Sequence, residues 1–151
     1  MRASACAFAG LLLCAALSAG AAPAGDDPLL EPEKAFRFSA RLLSDDMLEV
    51  SYRIAEGYYL YKERFSFSIE PGAVKPGAAV FPPAQWHEDE FFGRSEIYRQ
   101  EVKIRIPLES RAAGQPFRLL AVSQGCADVG VCYLPTTHRA RLAAPGLPRP
   151  K

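Results

Sequence analysis

An all-β fold, an antiparallel barrel or, as the length favours, an immunoglobulin-like antiparallel β-sandwich, is predicted by three observations. Apolar residues recur at every second position in several short stretches, Gly, Pro and Asp turns separate those stretches, and no window sustains a helical period. The chain has 151 residues, a length that suits such a sandwich once its N-terminus is set aside.

That N-terminus reads as an export signal over residues 1–21. Met1-Arg2 carries one positive charge, a run rich in Ala and Leu follows, and Ala19-Gly20-Ala21 offers small residues at a cleavage site. A retained anchor is the alternative, since residues 3–22 are apolar enough to span a bilayer. Cleavage removes Cys6 and Cys14 and leaves only Cys126 and Cys132. It also takes Lys+Arg from 18 to 17 against 17 Asp+Glu, so no basic excess points to nucleic acid or an anionic membrane surface.

Residues 22–33, with Asp26, Asp27 and prolines, read as a flexible tether, and the domain proper runs from 34 to 143. Within it, Phe36, Phe38, Ala40 and Leu42 alternate with polar neighbours, Ser44-Asp45-Asp46 turns the chain, and Leu48, Val50, Tyr52 and Ile54 repeat the pattern. Gly57 punctuates before Tyr58-Tyr59-Leu60-Tyr61. Phe65, Phe67 and Ile69 alternate up to Pro71-Gly72; Val102, Ile104, Ile106 and Leu108 lead to a turn over 111–114; Phe117, Leu119 and Ala121 run toward the cysteines. Residues 144–151 form a Pro-rich tail or the start of a linker.

Cys126 and Cys132 form a Cys-x5-Cys pair around Asp128-Val129-Gly130. Along a straight strand six residues would separate the sulfurs by about 20 Å, so a bond between them requires a hairpin, and Asp-Val-Gly is good turn chemistry. Residues facing each other across an antiparallel pair fall within disulfide range. Three readings stay open at this point. The pair is a structural staple, worth only about 2.4 kcal/mol for a seven-residue loop on chain-entropy grounds; or a redox-active dithiol; or, with His138 and His87, part of a zinc or copper site of uncommon spacing.

A second unusual stretch is Trp86-His87-Glu88-Asp89-Glu90-Phe91-Phe92-Gly93. Three consecutive acids beside two aromatics make a poor strand and a poor core. The bland reading is a solvated loop; the sharper one is a lid that shields a dithiol from indiscriminate oxidation, with Gly93 as its hinge. Asp89 or Glu90 close to a cysteine would disfavour its thiolate. The Tyr58, Tyr59 and Tyr61 hydroxyls are available to bond those acids or a thiolate, although tyrosines in a strand are more often packing residues with their tips in water.

Taken together, Gly57-Tyr58-Tyr59-Leu60-Tyr61, Trp86 to Phe91 with Gly93-Arg94-Ser95-Glu96-Ile97-Tyr98-Arg99, and Gln124-Gly125-Cys126-Ala127-Asp128 with Gly130 and Cys132-Tyr133 closely resemble the N-terminal periplasmic domain of DsbD, the thiol:disulfide interchange protein, over residues 30 to 142. The resemblance implies an immunoglobulin-like periplasmic protein-disulfide reductase domain that takes electrons from the thioredoxin-like domain of a DsbD-type membrane reductase. It passes them to periplasmic thioredoxin-like proteins, among them disulfide isomerases and the reductase of cytochrome c maturation. It implies Cys132 as the exchanging thiol, Cys126 as its resolving partner, and Asp89, Glu90, Phe91, Phe92 and Gly93 as a cap loop with Phe91 over the disulfide. Tyr59 and Tyr61 become polar support, and no metal or organic cofactor is called for beyond the Cys126–Cys132 pair. Phe92 stands where the family can carry a tyrosine, and Leu134-Pro135 where a double proline is common. Full-length members continue into a membrane domain and a thioredoxin-like domain, so the chain is expected to be either a fragment or a stand-alone protein supplied in trans.

Overall fold

The computed structural model describes residues 29–70, 75–109 and 116–143. The expected signal, the first part of the tether, the tail and the turns at 71–72 and 111–114 lie outside the described residues.

Eleven strands are described: β1 (Phe36–Ser44), β2 (Met47–Ile54), β3 (Tyr58–Tyr61), β4 (Ser66–Glu70), β5 (Gln85–Asp89), β6 (Gly93–Tyr98), β7 (Glu101–Pro107), β8 (Phe117–Ser123), β9 (Gly125–Ala127), β10 (Val131–Cys132) and β11 (Thr136–Leu142). They form three antiparallel sheets in the orders β1-β2-β7, β10-β9-β3-β6-β5 and β11-β8-β4. The first and third face each other, with the Phe38 ring stacked on His138 at 5.0 Å and the Tyr52 ring against both His138 and Phe65. The architecture is an immunoglobulin-like β-sandwich.

The core follows the two-residue period. Leu48, Val50 and Tyr52 on β2, Val102, Ile104 and Ile106 on β7, and Phe117, Leu119 and Ala121 on β8 are all buried, while their odd or even partners face out. Glu49 is the exception. It sits on the outer face yet is only 5% exposed, because the Arg41 guanidinium from the neighbouring strand lies over it and donates through Nε at 2.9 Å and Nη2 at 2.7 Å.

Two local differences from the sequence reading have physical causes. The acidic stretch read as a poor strand forms β5, paired with β6 in the register Trp86↔Glu96, His87↔Ser95, Glu88↔Arg94 and Asp89↔Gly93. As the outer strand of its sheet it leaves Trp86 and Glu88 exposed, and Glu88 faces the opposite charge of Arg94, while Asp89 turns inward to hydroxyl partners. The end of the expected tether is fastened to the sheet. Pro32–Ala35 form one helical turn, and Leu30 donates its N–H to the Tyr58 hydroxyl at 2.9 Å and accepts from the Tyr133 hydroxyl at 2.6 Å.

Candidate functional site

The five-stranded sheet brings the distant motifs together, because β3 lies between β9 and β6. Tyr59 is directly opposite Cys126, and Cys126 is directly opposite Cys132 on β10. The two cysteines are disulfide-bonded with their Cα atoms 4.0 Å apart. The connecting turn is built as its residues demand: Asp128, Val129 and Gly130 form a three-residue loop, Gly130 takes φ 81° and donates its N–H to the Ala127 carbonyl at 3.0 Å. Gly125 is required by close approach, since a Cβ there would collide with the Tyr59 carbonyl and the Phe36 ring.

The two sulfurs differ in access. Cys126 is fully buried in a small cluster with Tyr59, Tyr61 and Ile97, against which Phe92 and the half-buried Cys132 pack. The Tyr61 hydroxyl stands 3.1 Å from Cys126 Sγ and 3.9 Å from Cys132 Sγ. It donates to Asp89 Oδ2 at 2.6 Å, and Tyr59 donates to the same oxygen at 3.1 Å. Neither tyrosine has its tip in water, which corrects the packing reading of this strand: the β3–β6–β5 order places a carboxylate where the tips arrive.

Asp89 joins the two halves of the site. Its other oxygen, Oδ1, accepts the backbone N–H groups of Phe91 and Phe92, both at 2.9 Å, which fixes the tip of the β5–β6 hairpin as an Asx-type turn. Gly93 closes that tip at φ 65°. Burial alone would raise the Asp89 pKa, but the Tyr61 hydroxyl, the Phe92 and Phe91 amides and the Tyr59 hydroxyl outweigh it and hold the carboxyl below its ordinary value. The phenols respond oppositely. Burial, then the bond to Asp89, pushes Tyr61 far up, and burial is also the largest cause of the rise at Tyr59. Both therefore remain neutral donors to an ionised carboxylate.

The remaining expected site residues fall around this core. Phe92 packs its ring edge-on to Tyr61 at 4.8 Å, with the Arg64 guanidinium over it at 4.2 Å. Phe91 is 42% exposed and lines, with Glu90, Ala127, Asp128 and Gly130, a shallow depression beside the cysteine turn. His87 meets the Tyr59 ring at 4.6 Å, and its Nε2 is 3.9 Å from Asp89 Oδ2. The zinc or copper set does not assemble: His138 is stacked between the facing sheets, and among the described residues no three His, Cys, Asp or Glu side chains converge.

Arg99, read only within a motif, and Asp128, read as a turn residue, are paired beside the cysteines. Arg99 donates Nη1 and Nη2 to the two carboxylate oxygens of Asp128 at 2.9 and 2.8 Å, and its guanidinium lies 5.0 Å from the Tyr59 ring centre. They stand 29 positions apart in the chain, and nothing in their local sequence announces the pairing. Around the turn, Val129, Val131 and Leu134 are exposed apolar side chains that no periodicity singled out.

Residues 26–144 match the family described as "Thiol:disulfide interchange protein DsbD, N-terminal". The chain is 40% identical over 134 residues to the thiol:disulfide interchange protein DsbD of Ralstonia nicotianae, covering 88% of this chain and 22% of that protein. The chain thus spans about a fifth of the length of the curated relatives it matches. Among solved structures it resembles the reduced N-terminal domain of Neisseria meningitidis DsbD, with TM-score 0.71 and 37% identity over 78% of this chain and 92% of that one. It also resembles the same organism's structure of the complex between the DsbD N-terminal and PilB N-terminal domains, with TM-score 0.64 and 37% identity over 75% and 86%.

Proposed function

Since the chain belongs to the DsbD N-terminal family of thiol:disulfide interchange domains and carries a redox-capable cysteine pair, we propose that it is a periplasmic electron relay working through Cys132 and Cys126. The observation that carries this reading is the unequal access of the two bonded sulfurs: Cys132 is half-buried on a two-residue edge strand, and Cys126 is enclosed behind it against Tyr61.

In the reduced domain the Cys132 thiolate attacks one sulfur of a partner's disulfide, and the partner's other sulfur leaves as a thiolate. The resulting mixed disulfide is resolved when Cys126, after losing its proton, attacks Cys132 Sγ and releases the partner's second sulfur. Two electrons and two protons pass to the partner, and the Cys126–Cys132 bond is restored. The electrons are carried by sulfur alone, so the reading needs no metal or organic cofactor.

The acceptors on this reading are periplasmic thioredoxin-like proteins, including disulfide isomerases and the reductase of cytochrome c maturation, and the donor is the thioredoxin-like domain of a DsbD-type membrane reductase. A relative's complex with a PilB N-terminal domain supports a partner of this kind. Phe91 and Phe92, held by Asp89, shield the sulfurs between encounters. Export by a cleaved signal over residues 1–21 places the domain in an oxidising compartment where that shielding matters. Equilibration with a glutathione series tests the reading. A bond that opens within the range of exchanging disulfides agrees with it, and one poised below about −300 mV is a staple.

A further inference from the structure

The Arg99–Asp128 fork has no part in the exchange steps above, yet it grips the loop that joins the two cysteines. Asp128 is the first residue of that loop, and its N–H is already held by the Gly57 carbonyl at 2.8 Å. Arg99 adds a planar two-bond clamp from the end of β6 and a further Nη1 contact to the Tyr58 carbonyl at 3.5 Å. Its own direction is fixed by the next residue. Gln100 takes φ 63°, a conformation a non-glycine residue rarely adopts, and its carbonyl accepts the Ile54 N–H at 2.7 Å.

We infer that Arg99 is a positioning residue for the redox couple: by clamping Asp128 it holds β9 and β10 in register, keeps the two sulfurs at a high effective concentration, and so biases the pair toward the disulfide. This rests on the exchange reading. Reduction breaks one S–S bond, consumes two electrons and two protons, and leaves two thiols that must move apart to van der Waals contact. A clamped hairpin resists that separation, and a released one permits it. The side chains of Arg99 and Asp128 remain 28% and 45% exposed, so solvent screening limits the bias to roughly two- to fivefold in the exchange equilibrium, or about 10–20 mV for a two-electron couple.

The test is equilibration of the folded domain with reduced and oxidised glutathione, in wild type, Arg99→Gln, Arg99→Lys, Asp128→Asn and the double variant Arg99→Gln/Asp128→Asn. Circular dichroism and urea unfolding establish that each variant is folded. The clamp predicts that every single variant becomes easier to reduce by about two- to fivefold, and that the double variant adds little to either single change. Loss of a cation and loss of an anion act oppositely on nearby thiolates, so opposite shifts for Arg99→Gln and Asp128→Asn would overturn the clamp in favour of simple charge effects. An Arg99→Lys variant that behaves as wild type, or folded variants all at the wild-type equilibrium, would overturn it too. A wild-type bond that glutathione cannot open at all contradicts the exchange reading itself, which separates the two failures.

Discussion

The Tyr61 hydroxyl lies between a sulfur and a carboxylate, 3.1 Å from Cys126 Sγ and 2.6 Å from Asp89 Oδ2. The buried cysteine, the cap-loop tip and the central strand of the five-stranded sheet thereby share one polar contact inside an apolar cluster. Replacing Tyr61 by Phe keeps the ring against Phe92 and removes that contact. Asp89 retains two amides and Tyr59, so the expected cost is about 1–2 kcal/mol in urea unfolding. A loss below about 0.3 kcal/mol would show that the hydroxyl contributes nothing to holding the tip.

Asp89 gives the domain an acid-sensitive element. Its pKa in the fold lies below the value of 3.8 it has when free, because the Tyr61 hydroxyl and the loop amides prefer the charged form even after burial is counted. A depressed carboxylate contributes stability that is fully present above its unfolded pKa and is lost as pH falls through the folded one. Wild-type stability is therefore expected to fall below about pH 4 more steeply than that of Asp89→Asn. Parallel pH profiles for the two would remove Asp89 from the account.

His138 titrates in a separate window. Burial against Phe38 lowers its pKa from 6.5, opposed in part by the charge of Glu33, and its Nε2 is buried without a hydrogen-bond partner among the described residues. The unfolded chain binds the extra proton first, so stability is present above about pH 6.5 and declines as pH drops from there toward the folded value. His138→Phe is expected to flatten the urea midpoint between about pH 5 and about pH 7.5. A slope unchanged from wild type would place the titration elsewhere.

Much of this was legible in the sequence, and the limits are instructive. Strands β1, β2, β4, β7 and β8 each follow an apolar alternation, since one face of every such strand meets the core and the period records it. Strand β5 hid itself because an edge strand needs no apolar face: Glu88 remains in water, and the hydroxyls that receive Asp89 come from another strand. The roles of Tyr59 and Tyr61 turn on which strands flank β3, which no local window contains, although resemblance to relatives pointed to them. Arg99 and Asp128 meet across the sheet for the same reason, and charged residues in turns read as solvated until their partner is placed. Glu49 looked like an ordinary outward residue; only the path of Arg41 over it makes it buried.

The two phenylalanines of the cap loop separate shielding from packing. Phe92 fills the cluster beside Cys132, and its truncation to Ala is expected to cost about 2–3 kcal/mol and to speed oxidation of the reduced domain by a small oxidant. Phe91, more exposed, is expected on truncation to speed oxidation with a loss of stability under about 1 kcal/mol. Stopped-flow oxidation with urea unfolding on the same samples checks both. An unchanged rate for both variants would leave the loop without a shielding role.

The most direct test of the account is a trap. Cys126→Ser leaves the accessible sulfur and removes the one that would resolve it; Cys132→Ser does the reverse. Each reduced variant is mixed with an oxidised periplasmic thioredoxin-like protein and resolved on a non-reducing gel with mass identification of the adduct. The account predicts that Cys126→Ser accumulates a one-to-one mixed disulfide through Cys132 and that Cys132→Ser accumulates little. Adducts formed equally by both, or by neither, would contradict the assignment of Cys132 as the exchanging sulfur.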